Sequence, residues 1–407
     1  MMAVPLVLIT AATTAATPPF GHALLDEFLW PRNITQFNHG SYGGVPKKVL
    51  QAQFDHVKEF EFDVQARIDS AWYRDRLVAI RKRVAEYINA PWEDTVIIDN
   101  ASNAINVLLS TWVFKPNEVL LDFSTAYGPF KAYYEWLHAT RGVETVTVPL
   151  KFPLDGPQPV VDALKETLAK LKMQGKSASV CVVSQVSSAP AVLLPVAEIV
   201  AILKAEGIAS IVDGAHALGA TPVDIAKLGK PDFWFGNGHK WLFTPRSTCA
   251  LYVSKAYQTR YYPEPTVVDT FGDDFANRFV WSGTRDRSAF LAINDAFDFR
   301  NSFGEAALTK YVLDLSRNGA DLLVREWGTG MLAPHTMQAT MHNVIVPTNA
   351  SAVDCPRVQS GLNARGVQIF APQVDGLCYL RVHAEIYLEL SDYARLAKMV
   401  KQILGLA

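Results

Sequence analysis

Two spacings of apolar residues alternate along most of the chain. Short runs rich in β-branched and aliphatic residues occupy 95–98, 119–123, 143–148, 178–183, 208–212 and 248–253. They read as buried strands. Between them, apolar residues recur every three or four positions. Val49, Phe54, Val57 and Phe60, then Leu77, Ile80, Val84 and Ile88, predict helices across 47–89 with a boundary at Asp69-Ser70. Helices are also expected at 105–112, 158–172 and 196–206, the last stopped by Gly207. Strands and helices alternating at this length predict an α/β fold with a mostly parallel sheet covered by helices.

The pattern changes towards the end of the chain. Helices at 289–303 and 308–327 lead into strands at 341–346 and 377–382 and helices at 357–365 and 391–404. These form a smaller α+β C-terminal domain. The expected division is an N-terminal arm, 1–45, a large domain, 46–288, and the small domain, 289–407.

Composition narrows the function classes. With 49% hydrophobic and 19% charged residues, the chain is globular rather than disordered. A net charge of −2 gives no field for nucleic acid or an acidic membrane surface. None of the four cysteines (Cys181, Cys249, Cys355, Cys378) forms a C-x-x-C pair, so no structural zinc or other metal site is expected. Cysteines within apolar runs fit a reducing compartment, and a cytoplasmic location is expected. The alternative is export. Residues 1–17 contain a short apolar run and an Ala/Thr-rich stretch, a weak signal-peptide pattern that lacks a basic start. Asn33 and Asn349 would then head glycosylation sequons.

Chemistry concentrates where apolar runs end. The run 208–212 delivers Asp213, and His216 follows. Residues Phe233, Trp234 and Phe235 lead to Gly236-Asn237-Gly238 and then His239-Lys240. Strand ends at a sheet edge are where open α/β folds bind ligands. A Lys and an Asp delivered there suit pyridoxal 5'-phosphate. The amine forms a Schiff base with the aldehyde, and the carboxylate keeps the pyridine nitrogen protonated. The turn 99–104, with Ser102 and Asn103, stands between a strand and a helix start, a place that favours phosphate.

The Asp213-x-x-His216 and His239-Lys240 pair resembles fold type I pyridoxal-phosphate enzymes, and more narrowly aminotransferase class V in its isopenicillin N epimerase-like branch. That branch holds epimerases, C–S lyases of ergothioneine biosynthesis and a loline-pathway cyclase. The resemblance extends over residues 35–400 and implies a large domain built on a seven-stranded sheet. Asn38-His39-Gly40-Ser41-Tyr42-Gly43 resembles a segment near the substrate, which implicates Asn38, Ser41 and Tyr42. Tyr127, in Ser-Thr-Ala-Tyr-Gly, resembles the aromatic residue that covers the pyridine face and looks catalytic in the lyases. Ser102, Asn103, Ser187, Asn237 and His239 are implied at the cofactor. Gly283 and Thr284 resemble a loop that reaches the partner's cofactor phosphate, so a homodimer is implied. Arg381 would hold the substrate α-carboxylate. His383 and Leu388 depart from the Ser and Asn of the resembling segment, so the substrate end is expected to differ.

The resemblance implies an amino-acid substrate, with Lys240 as α-proton base, Asp213 at the ring nitrogen and His216 at the cofactor's O3′ or stacked nearby. β-Elimination from a cysteine conjugate or its sulfoxide is the favoured outcome, with Tyr127 as acid. Epimerisation, carbon–carbon bond formation and a cofactor-free binding protein are the alternatives. A cysteine desulfurase is disfavoured because Cys378 lies in the strand that carries Arg381.

Overall fold

The computed structural model describes residues 20–68, 70–260, 274–281, 283–347 and 355–406. The signal-peptide reading of 1–17, the boundary residue Asp69 and the Asn349 sequon lie outside the described residues.

The strands are β1 (Thr35–Gln36), β2 (Thr95–Ile98), β3 (Glu118–Phe123), β4 (Glu144–Val148), β5 (Ser177–Ser184), β6 (Ala209–Asp213), β7 (Phe233–Asn237), β8 (Cys249–Val253), β9 (Met341–Ile345), β10 (Val367–Gln368), β11 (Gln373–Val374) and β12 (Leu377–His383). Seven of them form the central sheet, in the order β2-β8-β7-β6-β5-β3-β4. The run from β7 to β4 is parallel, and β8 is antiparallel to both its neighbours.

Side-chain alternation explains why the central strands are apolar throughout. Val183 and Val212 face one hydrophobic cluster, while Val182 and Ile211 face another on the opposite side of the sheet. The strands are therefore covered on both faces, and their polar residues collect at their carboxyl ends.

A second core builds the smaller C-terminal unit. Antiparallel β9 and β12 carry Val344, Leu380 and Val382 against Leu323, Tyr393 and Leu396 of the helices Glu305–Trp327 and Leu390–Leu404. Phe28 and Phe37 from the N-terminal arm are buried in this same core. Parallel pairing of β1 with β10 fastens the arm there, and this carries the 38–42 turn towards the strand that bears Arg381.

The helical expectations change at local breaks. The stretch 47–89 forms three helices, Lys47–Phe62, Val64–Ile68 and Ala71–Tyr87. Ser70 caps the last by accepting from the Trp72 N–H. Trp136 is 51% exposed, whereas Tyr134 in the same helix is buried. Cys355 and Cys378 are joined as a disulfide, a pairing the sequence reading did not anticipate. Cys181 and Cys249 are free and buried.

Candidate functional site

Asp213 is the last residue of β6, beside Ser184 at the end of β5. The chain then turns against Trp234. A Cβ on Gly214 would lie 2.5 Å from the indole, so only glycine permits the turn. The buried Asp213 carboxylate accepts the Ala215 N–H at 2.9 Å. The Ser184 hydroxyl approaches its other oxygen at 3.5 Å. Burial raises the Asp213 pKa, with the Ala215 hydrogen bond and the Lys240 charge opposing.

β7 ends one strand away, and Gly238–Trp241 form a single helical turn. That turn aims Lys240 into the same space. Its Nζ lies 2.9 Å from His216 Nε2. Burial lowers the Lys240 pKa to about 8, against the pull of Asp213 and with added repulsion from Arg381. Burial, then the Lys240 charge, holds His216 neutral. His216 Nδ1 is buried without a partner.

Arg381 enters from β12. Its Nη1 donates to the Ser188 carbonyl at 2.7 Å and to the Ser188 hydroxyl at 3.2 Å. Its Nη2 donates to Asn38 Oδ1 at 2.8 Å and to Ser41 Oγ at 2.7 Å. Nε is buried without a partner. Among the described residues no carboxylate pairs with this buried cation, and burial lowers its pKa to about 10. A buried charge without a counter-ion is costly unless a ligand supplies one.

The amine and carboxylate border a cavity of about 300 Å³, whereas Arg381 and Asn38 are not in its lining and stand behind the lining residues Ser41 and Ser188. Asp213, His216 and Lys240 line its interior, and Tyr127 and Tyr42 its wall. The phenols are partly open to solvent, with Tyr127 41% and Tyr42 73% exposed. At another side lies the start of the helix Ala101–Ser110. Asn100 caps it by accepting the Asn103 N–H, and Asn237 Oδ1 accepts the Ala101 N–H at 3.0 Å. Ser102 and His239 line the cavity there, and His239 Nδ1 is buried without a partner.

The expected residues do not all converge. The Ser187 hydroxyl donates to Pro190 O at 2.6 Å and accepts the Val192 N–H at 3.0 Å, so it is spent within its own loop. Its neighbour Ser188 lines the cavity in its place. Asn103 contributes its N–H to the helix cap and does not line the cavity. Gly283 and Thr284 are exposed and stand apart from the cavity lining. The sequence reading did not single out Asn100, Arg246 or Ser247, and it took Ser188 only as the neighbour of Ser187 in a matching pair; all four line the cavity. Asn100 had a usable signal as a capping residue directly after a strand. Arg246 and Ser247 had none.

The donor set fits pyridoxal phosphate. A buried amine, a buried carboxylate and two unpartnered buried imidazole nitrogens face one cavity, which adjoins a helix start. The profile of the family Aminotransferase class-V matches residues 45–376. The chain belongs to the class-V aminotransferase family. Its relatives include an L-cysteine desulfhydrase of Arabidopsis thaliana, 28% identical, with 91% of this chain and 88% of the relative covered. Hercynylcysteine sulfoxide lyase of Schizosaccharomyces pombe is 27% identical, with 95% and 98% covered. Isopenicillin N epimerase of Streptomyces clavuligerus is 26% identical, with 95% and 97% covered. The expected branch of the family is therefore the right one.

Among solved structures, a cystine C–S lyase in complex with cysteine persulfide superposes on this class-V chain with a TM-score of 0.75. The two are 18% identical, with 91% of this chain and 98% of the other covered. The fold is thus fold type I, and the chain is a pyridoxal-phosphate-dependent enzyme.

Proposed function

We propose that this enzyme is a C–S lyase that removes the β-sulfur substituent from cysteine, a cysteine S-conjugate or its sulfoxide. What carries the reading is one cavity that brings together a buried amine, a buried carboxylate and a phenol, with the uncountered Arg381 guanidinium behind its lining residues Ser41 and Ser188. The names of the relatives, cysteine desulfhydrase and sulfoxide lyase, support the same chemistry. For a thioether conjugate, the amino acid and water give the free thiol, pyruvate and ammonium.

The bound cofactor supplies an electron sink that acidifies the substrate's α-C–H. Lys240 Nζ, its pKa lowered by burial to about 8, takes the α-proton. Asp213 suits the pyridine nitrogen, whose positive charge would stabilise the buried carboxylate in turn. His216, neutral and hydrogen-bonding, suits the cofactor's ring oxygen. Arg381 orients the α-carboxylate, with Asn38 and Ser41 holding its edge. Tyr127 delivers a proton to the departing sulfur, and Tyr42 closes the mouth of the cavity. Ser102, Asn237 and His239 would hold phosphate, with Gly283 and Thr284 supplied by the partner of a homodimer.

Tyr127→Phe tests the assignment. Pyruvate formation should fall by about a hundredfold or more while exchange of the α-proton with solvent persists. Equal loss of both would remove Tyr127 from the leaving-group role. An epimerase is the second reading, favoured by the same phenol, since it could return a proton to the α-carbon. A reaction that inverts the α-carbon without releasing pyruvate would select it.

A cytoplasmic location is part of the same proposal. The buried free thiols Cys181 and Cys249 support it, and the Cys355–Cys378 disulfide weighs against it. No helix among the described residues is long and apolar enough to cross a membrane. Fractionation of cells expressing the full chain tests the compartment, and recovery in the secreted fraction would reject it.

A further inference from the structure

Arg381 arrives with its terminal donors already engaged. The guanidinium's Nη1 and Nη2 make four hydrogen bonds to Ser188, Asn38 and Ser41. Only Nε has no partner. An incoming carboxylate must therefore take its place on a guanidinium whose geometry is set by the 38–41 turn. Ser41 Oγ also donates to Asn38 Oδ1 at 2.7 Å, so the two acceptors move as a unit.

The residue that holds this turn is His383, two positions beyond Arg381 on β12. Its Nδ1 accepts the Gly40 N–H at 2.8 Å. Facing a backbone donor, Nδ1 is the acceptor, and the neutral ring carries its proton on Nε2. His383 is fully buried, with its ring centroid 5.3 Å from that of Trp241. A Cβ at Gly40 would lie 2.5 Å from Trp241 and 2.8 Å from the His383 ring. The turn is thus pressed onto these two rings, and glycine alone permits the approach. The other end of His383 is also fixed, because its carbonyl accepts the Tyr393 hydroxyl at 2.7 Å.

We propose that His383 is the positioning residue of the carboxylate receptor: through the Gly40 N–H it holds Asn38 and Ser41 on the Arg381 guanidinium, and so sets the enzyme's preference for substrates that carry an α-carboxylate. The inference rests on the reading of Arg381 as that receptor. Burial and the charges of Arg381 and Lys240 keep the imidazole neutral, so the acceptor persists over the working pH range.

The test uses the cofactor-loaded enzyme and two unreactive ligands, L-alanine and ethylamine, which differ by the α-carboxylate. Their affinities are read from the change in cofactor absorbance on titration. His383→Leu removes the acceptor at similar size. It should weaken alanine about tenfold and ethylamine less than about twofold, as expected for loss of one buried hydrogen bond. His383→Asn keeps an oxygen where Nδ1 stands and should restore alanine to within about threefold of the parent. If His383→Leu does not fold, His383→Ser gives the same comparison with a hydroxyl too short to reach Gly40. Equal weakening of both ligands, or no change in their ratio, would overturn the role of His383. Arg381→Gln separates the two levels. It should abolish the preference for alanine, and a preserved preference would overturn both the receptor and the inference built on it.

Discussion

Lys240 loses its proton near pH 8 in the folded chain, against 10.5 for an exposed lysine. Between those values the unfolded chain holds more protons, so this residue makes stability rise with pH from about 8 to about 10.5. Below pH 8 it is a constant cost. In the cofactor-free protein, Lys240→Met should therefore stabilise the fold at pH 7 by about 3 kcal/mol, the equivalent of the pKa depression. That gain should shrink towards pH 10. Thermal melts across this range check it, and a gain independent of pH would contradict it. His39 and Glu385, 3.4 Å apart, are not an ion pair: burial lowers the first to about 3 and raises the second to about 8, so both are neutral at pH 7. The sequence revealed Asp213 and Lys240 because the first ends an apolar run and the second follows another by one short turn, and both runs read as buried strands. It gave no means to choose Ser188 over Ser187, because that choice depends on how the loop after β5 turns, and no periodicity governs a loop.

At the scale of elements, the cavity depends on contacts between segments remote in sequence. Gly43 has φ 71°, and a Cβ there would lie 1.6 Å from the His239 carbonyl. Gly43→Ala should displace the turn that carries Lys240 and weaken cofactor affinity by about tenfold or more. Absorbance titration measures this, and unchanged affinity would show that the two segments are not coupled. Arg300, in the helix Ile293–Asn301, is a second such link. It donates to the Trp241 carbonyl at 2.6 Å and pairs with Glu305 at 2.5 Å. Arg300→Met takes the donor from the buried Trp241 carbonyl and the cation from the part-exposed Glu305, and should cost about 1–3 kcal/mol in urea unfolding. The strands were legible from composition and length, as was the helix start capped by Ser70, whereas the break at Asp63 was not. Apolar spacing continues across that break, and a bend in the backbone ends the first helix there.

For the whole molecule, the sheet places Asp213 at the end of β6 and Lys240 on the turn that follows the neighbouring parallel strand β7, and the C-terminal unit brings in Arg381. The N-terminal arm closes the arrangement by packing Phe28 and Phe37 into the C-terminal core, a partnership that neither segment's own pattern announces. The exposed Gly283-Thr284 loop fits contact with a second copy. Sedimentation velocity should show a dimer, and Thr284→Ala should weaken cofactor binding about tenfold without dissociating it. A monomer with undiminished cofactor affinity would refute that role.

The central claim is β-elimination, and proton NMR in D₂O of the cofactor-loaded enzyme with an S-substituted cysteine sulfoxide tests it most directly. The account predicts pyruvate and ammonium growing in step with loss of the substrate's α-proton signal. Loss of that signal with the carbon skeleton intact would contradict elimination and leave α-proton exchange as the chemistry of this cavity.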